Sequence, residues 1–269
     1  MYLDNRKQMN YTEENRRKTA YFARKRGNMI RVTVWNEYLH EKEEPVRHIY
    51  PNGIHGCIKE FLQTDEELVI KTATFEMPEH GLTEEVLKQT DVLIFWSHMR
   101  QNEFSDEVAA RVCSHVRQGM GLVALHSAHF SKIMKGLLGT SMTLRWKHGE
   151  SERVFCTAPY HPIAEGIPER FDIPKEEMYG EYFDIPKPDD VIFTGWFSCG
   201  EVFRSGCTFH SGYGKIFYFQ PGHEAYPTFY QPAVQSILRN AVRYVAPVYR
   251  QEVTCPHVRF ITDEDPYVI

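Results

Sequence analysis

Much that would classify this chain at once is missing from it. None of its six cysteines stands in a C-x-x-C pair, so neither a zinc knuckle nor a thioredoxin-like couple is supported. No H-E-x-x-H helix is present. Apolar runs stop at about five residues, far short of the ~20 that cross a bilayer, so no membrane partner is expected. No charged-then-apolar leader precedes a small-residue cleavage site, which points to a cytoplasmic protein with reduced thiols. Dense Lys/Arg tracts are lacking and the net charge is −5, which gives no electrostatic reason to expect nucleic acid. There is no internal repeat and no low-complexity segment.

What remains is an ordinary globular composition, 42% hydrophobic and 25% charged over 269 residues. Residues 1–28 are polar and basic, and apolar patterning begins at Met29. Met29 reads as a natural start, with Arg26-Gly27-Asn28 compatible with a purine-rich codon run ahead of it. The rival reading is a frayed basic helix. Residues 29–248 form the expected domain, and 249–269 a polar tail on the surface or against another subunit of a homo-oligomer.

From Met29 onward strands and helices alternate. Strands are expected at Val32–Trp35, Leu68–Thr74, Asp91–Trp96 and Leu122–Leu125, and helices at Ile54–Gln63, Thr83–Lys88 and Ser105–Gln118. Val108, Ala109, Val112 and Val116 carry the helical spacing of the last. This order predicts a doubly wound, mostly parallel sheet with helices on both faces. The second half is β-rich, with VIFTGWF, GEVFRSGCTF and KIFYFQ separated by Pro and Gly turns, and a closing helix follows at Gln231–Val245.

Five histidines sit at the ends of these elements. His98 follows VLIFW, His126 and His129 follow GLVAL, His223 follows KIFYF, and His55 lies where the first helix begins. Loops after the carboxyl ends of parallel strands converge on one crevice, so the pattern predicts a metal or acid/base site. His55, His98, His126 and His223 are candidate ligands of a divalent ion, zinc or manganese; His126, His129, Glu37 and Glu224 are candidate acid/base groups. Neutral imidazoles serve either role, and each histidine alone could instead hydrogen-bond to loop backbone. Asn36, beside Glu37, enters the same crevice. Trp146 and Glu150 in RWKHGESER, with Glu177, Tyr179 and Glu181 in EEMYGEYF, combine aromatic faces and carboxylates in the way a sugar would use. Arg204 in EVFRSG is a candidate structural partner for one of these acids.

WNE, YPNGIH, HGLT, GLVALHSAHF, EEMYGE, GEVFRSG and KIFYFQPGHEAYPT occur in that order between Ile30 and Pro247. With these blocks the chain resembles the trehalose-utilisation (ThuA-like) family. The resemblance implies the flavodoxin-like fold of the class I glutamine amidotransferase-like superfamily. It further implies a role in breakdown of trehalose-derived or other oxidised (keto) sugars supplied by a partner sugar dehydrogenase, with no nucleotide cofactor. Isomerisation and elimination/hydrolysis remain open as reactions, as does a non-catalytic sugar-binding or regulatory role. His126 occupies the turn where amidotransferases carry a cysteine, so thiolate attack on glutamine is excluded there.

Overall fold

The computed structural model describes residues 29–253. Its strands are β1 Ile30–Asn36, β2 Leu68–Thr74, β3 Val92–Trp96, β4 Gly121–Leu125, β5 Arg145–Cys156, β6 Arg170–Gly180, β7 Asp190–Phe197, β8 Val202–Ser211 and β9 Gly214–Phe219. The helices are α1 Val46–Ile49, α2 Gly53–Leu62, α3 Glu84–Lys88, α4 Asp106–Arg117, α5 Lys132–Leu138 and α6 Pro232–Val245. Of the N-terminal extension and the tail, only residues 249–253 fall within the described part. Among the described residues no helix is long and apolar enough to cross a membrane.

Strand β3 shows how the sequence builds two cores from one sheet. Its side chains alternate between faces. Leu93 and Phe95 join one buried cluster with Val108, Val112 and Val116 of α4 and with Ile133 and Met134 of α5. Val92, Ile94 and Trp96 join the other, with Ile54, Ile58 and Leu62 of α2 and Ile237, Leu238 and Ala241 of α6. A strand covered on both faces must be apolar at every position, and VLIFW is.

The helices begin where their side chains provide caps. Thr83, Ser105 and Ser131 accept the backbone N–H of Val86, Val108 and Met134 at the starts of α3, α4 and α5, which satisfies donors that lack an intrahelical partner.

One nine-stranded sheet has the order β2-β1-β3-β4-β9-β8-β7-β5-β6. The pairings among β2, β1, β3, β4 and β9 are parallel, and the remaining ones are antiparallel. The sheet is therefore mixed α/β rather than mostly parallel. The reason is local. Tight turns, such as the one that closes Ser211 onto Gly214, can only return a strand antiparallel, whereas parallel neighbours need a helical crossover. The chain reverses direction across the sheet between β1 and β3. Asn36, Trp96, Leu125 and Phe219 end their strands on the same edge, the edge where such sheets bind ligands.

Candidate functional site

At that edge β4 turns sharply into a short 3-10 segment, His126–Phe130. His126 adopts φ 52°, a left-handed conformation uncommon for a residue with a Cβ. Its ring is wholly buried. A carbonyl can only accept, so Nδ1–H donates to the Gln220 carbonyl at 2.9 Å. Nε2 then faces Glu177 Oε2 at 3.0 Å and Tyr179 Oη at 3.3 Å. Burial works against a charge here, but the Glu177 carboxylate overrides it, and the imidazole titrates above its ordinary value.

Glu177 comes from β6 and is the centre of the cluster. Its other oxygen lies 3.2 Å from His148 Nδ1 and 3.9 Å from His223 Nε2. Burial alone would raise this carboxyl; His126, His223 and His98 bring it down to about 2 instead. Glu224 is a second such group. Its Oε2 accepts from His98 Nδ1 at 3.0 Å and its Oε1 lies 3.7 Å from His40 Nδ1. Burial is again outweighed, chiefly by His98, and the carboxyl sits at about 2. The wall thus holds two ionised carboxylates among imidazoles from distant parts of the chain.

Further carboxylates fix the loops that carry these rings. Glu37 Oε2 accepts from Ser97 Oγ at 3.1 Å and the His98 N–H at 2.9 Å, and Oε1 accepts from the Met99 N–H at 3.0 Å. Glu176, fully buried, accepts the N–H of Gly222 and His223 and the hydroxyl of Thr228 at 2.9, 3.1 and 2.8 Å. Trp96 Nε1 donates to the Gly222 carbonyl at 2.9 Å. Only glycine serves at 222: φ is +137° and an added Cβ would lie 2.5 Å from the Phe229 ring.

The cavity that these groups wall has a volume of about 600 Å³, within the usual range for small-molecule sites. Its floor is Gln101, Ser127, His129, Glu177, Tyr179, His223 and Glu224, all buried. Its exposed lining mixes apolar and polar groups, with Met99 and Trp146 each 61% exposed, Phe130 and Leu144 partly so, and Thr143 and His148 also at the surface.

Several expected site residues are here and several are not. His98, His129, His223, Glu224, Trp146 and Tyr179 line the cavity. His126 lies beneath it, behind Glu177 and Tyr179, with both ring nitrogens engaged by protein; it positions Glu177 and is not placed to ligate a metal. His126 and His129 do not converge on one point: His129 donates Nδ1–H to the Met142 carbonyl at 2.7 Å, and burial lowers it to about 3, a neutral ring. Tyr179 packs against both, stacked on His126 and edge-on to His129.

His55 is a correction. It sits edge-on to Tyr38, with Nδ1 3.1 Å from Asn36 Nδ2, and these contacts hold it outside the residues that line the cavity. Asn36 is buried and spends its amide on Glu41 and His55 and its oxygen on the Tyr38 N–H, so no part of it faces a substrate. Glu37 is likewise saturated by loop donors. Glu150 is tied to Lys147 and Ser198. Glu181 forms a two-point pair with Arg204 at 2.7 and 2.8 Å, the structural role expected of that arginine.

Sequence reasoning missed His40, His148 and Glu176 and gave Glu177 only a sugar-facing role. His40 was hidden in the charged run EYLHEKEE. The signal for Glu176 and Glu177 was adjacent acids inside an otherwise strand-like run, which is costly unless both faces carry partners.

Metal-ligating geometry recurs twice among the described residues. Donor atoms of His40, His98 and Glu224 lie within 4.8 Å of one another, and so do those of His98, Glu177 and His223. None of the cysteines Cys57, Cys113, Cys156, Cys199 and Cys207 lines the cavity.

The profile of the ThuA family, described as trehalose utilisation, matches residues 31–245. No curated protein matches the sequence. Among solved structures, a ThuA-like protein from Parabacteroides merdae shares 13% identity, with 85% of this chain and 96% of that one superposed at a TM-score of 0.62. A second from Bacteroides uniformis shares 17% over 81% and 91% of the two chains, at a TM-score of 0.57. A cytoplasmic protein of Salmonella typhimurium LT2 superposes over 81% of this chain and all of its own (100%), at 14% identity and a TM-score of 0.56. At such identities the structures speak for the fold alone. The profile spans most of the chain, and this protein therefore belongs to the ThuA trehalose-utilisation family.

Proposed function

We propose that the chain is an enzyme that enolises a keto-sugar, with Glu177 as the base. The observation that carries this reading is Glu177 itself, an ionised carboxylate ringed by His126, His148 and His223 at the wall of a sugar-sized cavity. A ring ketone acidifies the neighbouring C–H. In the step proposed, that C–H bond breaks and its proton passes to a Glu177 oxygen. The electron pair becomes a C=C bond, and the carbonyl π pair moves onto oxygen. Where the deprotonated carbon bears a hydroxyl, transfer of that hydroxyl's proton to the enolate oxygen and of the Glu177 proton to the former carbonyl carbon gives isomerisation. Where the next carbon bears a glycosidic oxygen, the enolate pair re-forms the carbonyl, the C=C shifts to the α and β carbons, and the glycosidic oxygen leaves with its bonding pair and takes a proton, which gives elimination. A pure binding site has no need of two charged carboxylates held among imidazoles, since each buried charge costs free energy that a neutral hydrogen-bonding group would not.

Trp146 at the mouth offers a face for sugar C–H groups, and Tyr179 a hydroxyl. A sugar dehydrogenase is the class of enzyme that would supply the ketone. A divalent ion, zinc or manganese, is proposed at His40, His98 and Glu224, a nitrogen/oxygen set that suits either and in which His40 Nε2 is buried without a partner among the described residues. When bound, it would supply Lewis-acid polarisation of a substrate oxygen.

The test is a panel of keto-sugars in D2O followed by NMR, with and without chelator. Expected is replacement of the proton beside the ketone by deuterium at an enzyme-dependent rate. Tight binding of unmodified trehalose with no exchange on any keto-sugar would overturn the proposal in favour of a binding role.

A further inference from the structure

We infer that His223 is a second catalytic residue: a neutral imidazole locked with its proton on Nε2, which hydrogen-bonds the substrate's carbonyl oxygen as negative charge develops there. The inference rests on the keto-sugar reading above, and the lock itself is visible in the fold. The Ala225 N–H donates to His223 Nδ1 at 3.0 Å. Nδ1 must therefore present its lone pair, and a neutral ring then carries its hydrogen on Nε2. A proton on Nδ1 would set donor against donor at that distance. Glu224 Oε2 lies 3.5 Å from Nδ1, too far to reward such a proton, and already accepts from His98.

Nε2 is buried and has no hydrogen-bond partner among the described residues, although His223 lines the cavity. Glu177 Oε1 is 3.9 Å away, beyond hydrogen-bond reach. A buried N–H left without an acceptor costs about 1–3 kcal/mol, so a fold keeps one where a ligand completes it. The ring is not free to seek another partner. Glu176 holds the His223 and Gly222 N–H groups, and Trp96 holds the Gly222 carbonyl. The rings of His98, His126, His148 and Tyr226 pack around it with centroids 5.0 to 5.4 Å away.

The base and the donor are thus neighbours on one wall. As Glu177 takes the α-proton, charge appears on the carbonyl oxygen, and a pre-oriented neutral N–H stabilises it without first having to turn. In this tautomer Nε2 has no lone pair to give a metal, which leaves His40, His98 and Glu224 as the ligand set.

Two measurements test this. Imidazole 15N–1H correlation spectra of chelator-treated protein, with His223 assigned by the signal lost in His223→Gln, should show hydrogen on Nε2 and a hydrogen-bonded lone pair on Nδ1. The opposite tautomer, or a doubly protonated ring, overturns the inference whatever the protein turns over. In the deuterium-exchange assay, His223→Leu should lower kcat about 100- to 1,000-fold, the loss usual for one such donor, with little change in KM. His223→Gln, which keeps an N–H, should recover part of the loss. Full kcat in His223→Leu overturns the donor role and leaves Glu177 as the base. No exchange by the unaltered protein on any keto-sugar overturns the enolisation reading, and the donor role falls with it even if the tautomer is as expected.

Discussion

Glu177 gives one carboxylate oxygen to His126 Nε2, 3.0 Å away, and turns the other toward the cavity, 3.2 Å from His148 Nδ1. One residue thereby links a fully buried histidine to the cavity. Glu177→Gln keeps the shape and removes the charge. Deuterium exchange should fall by about 100- to 10,000-fold, the usual contribution of a general base, while circular dichroism stays native. Exchange at the original rate would sink the assignment.

The same pair sets a pH window for stability. His126 titrates above its ordinary 6.5 when folded, so its contribution is fully present below 6.5 and is lost as pH rises through the folded value. Glu177 is held at about 2 against an ordinary 4.5, so its contribution is present above 4.5 and is lost as pH falls toward 2. Urea unfolding of the wild type should therefore exceed that of Glu177→Gln by the most between these two ordinary values, with the difference shrinking on either side. Parallel stability curves across pH 3 to 9 would contradict the pairing.

Much of the fold was legible because the parallel half follows local rules. Leu68–Thr74 forms the strand expected there, and α4 buries Val108, Ala109, Val112 and Val116 on the helical spacing read from the sequence. The antiparallel half was legible as strands but not as an arrangement, since its pairing order, β9-β8-β7-β5-β6, depends on contacts far apart in sequence. The histidines after β3, β4 and β9 did converge on the expected edge. Their individual roles could not be read in advance, because a role depends on which ring nitrogen the loop backbone has already taken. His126 and His129 each give Nδ1–H to a carbonyl, whereas His223 receives an N–H there.

Glu37 looked like a catalytic acid and is saturated by Ser97, His98 and Met99. Glu37→Ala leaves those buried donors without an acceptor, at about 1–3 kcal/mol each when no water replaces the carboxylate. A clear fall in Tm is expected, together with weaker binding of the ion proposed at His40, His98 and Glu224 as the His98 loop loosens. Unchanged thermal stability would show that the carboxylate does not hold that loop.

Behind the site, Glu152 Oε1 accepts from Ser205 at 2.7 Å, while Oε2 has no partner among the described residues. Burial pushes this carboxyl up to about 8. A folded value above the ordinary 4.5 means stability present below 4.5 and lost as pH rises through about 8. Glu152→Gln removes the titration, so the variant should gain on the wild type steadily between those pH values. A constant difference across that range would show that Glu152 is ionised in the fold.

Trp146 is 61% exposed at the cavity mouth, edge-on to His148 at 5.2 Å. So exposed a side chain contributes little to the core, and Trp146→Ala should change stability by no more than about 0.5 kcal/mol. Its use would be in holding the part of the substrate that stays at the mouth, where stacking of an aromatic face supplies binding energy shared by ground state and transition state. Such uniform binding appears in KM and not in kcat. The expected result is a raised KM for a keto-disaccharide, a nearly unchanged KM for a keto-monosaccharide too small to reach the mouth, and an unchanged kcat for both. An equal rise for both sugars would move the tryptophan's contact to the reacting ring, and a loss confined to kcat would mean that it orders the catalytic groups through His148 instead.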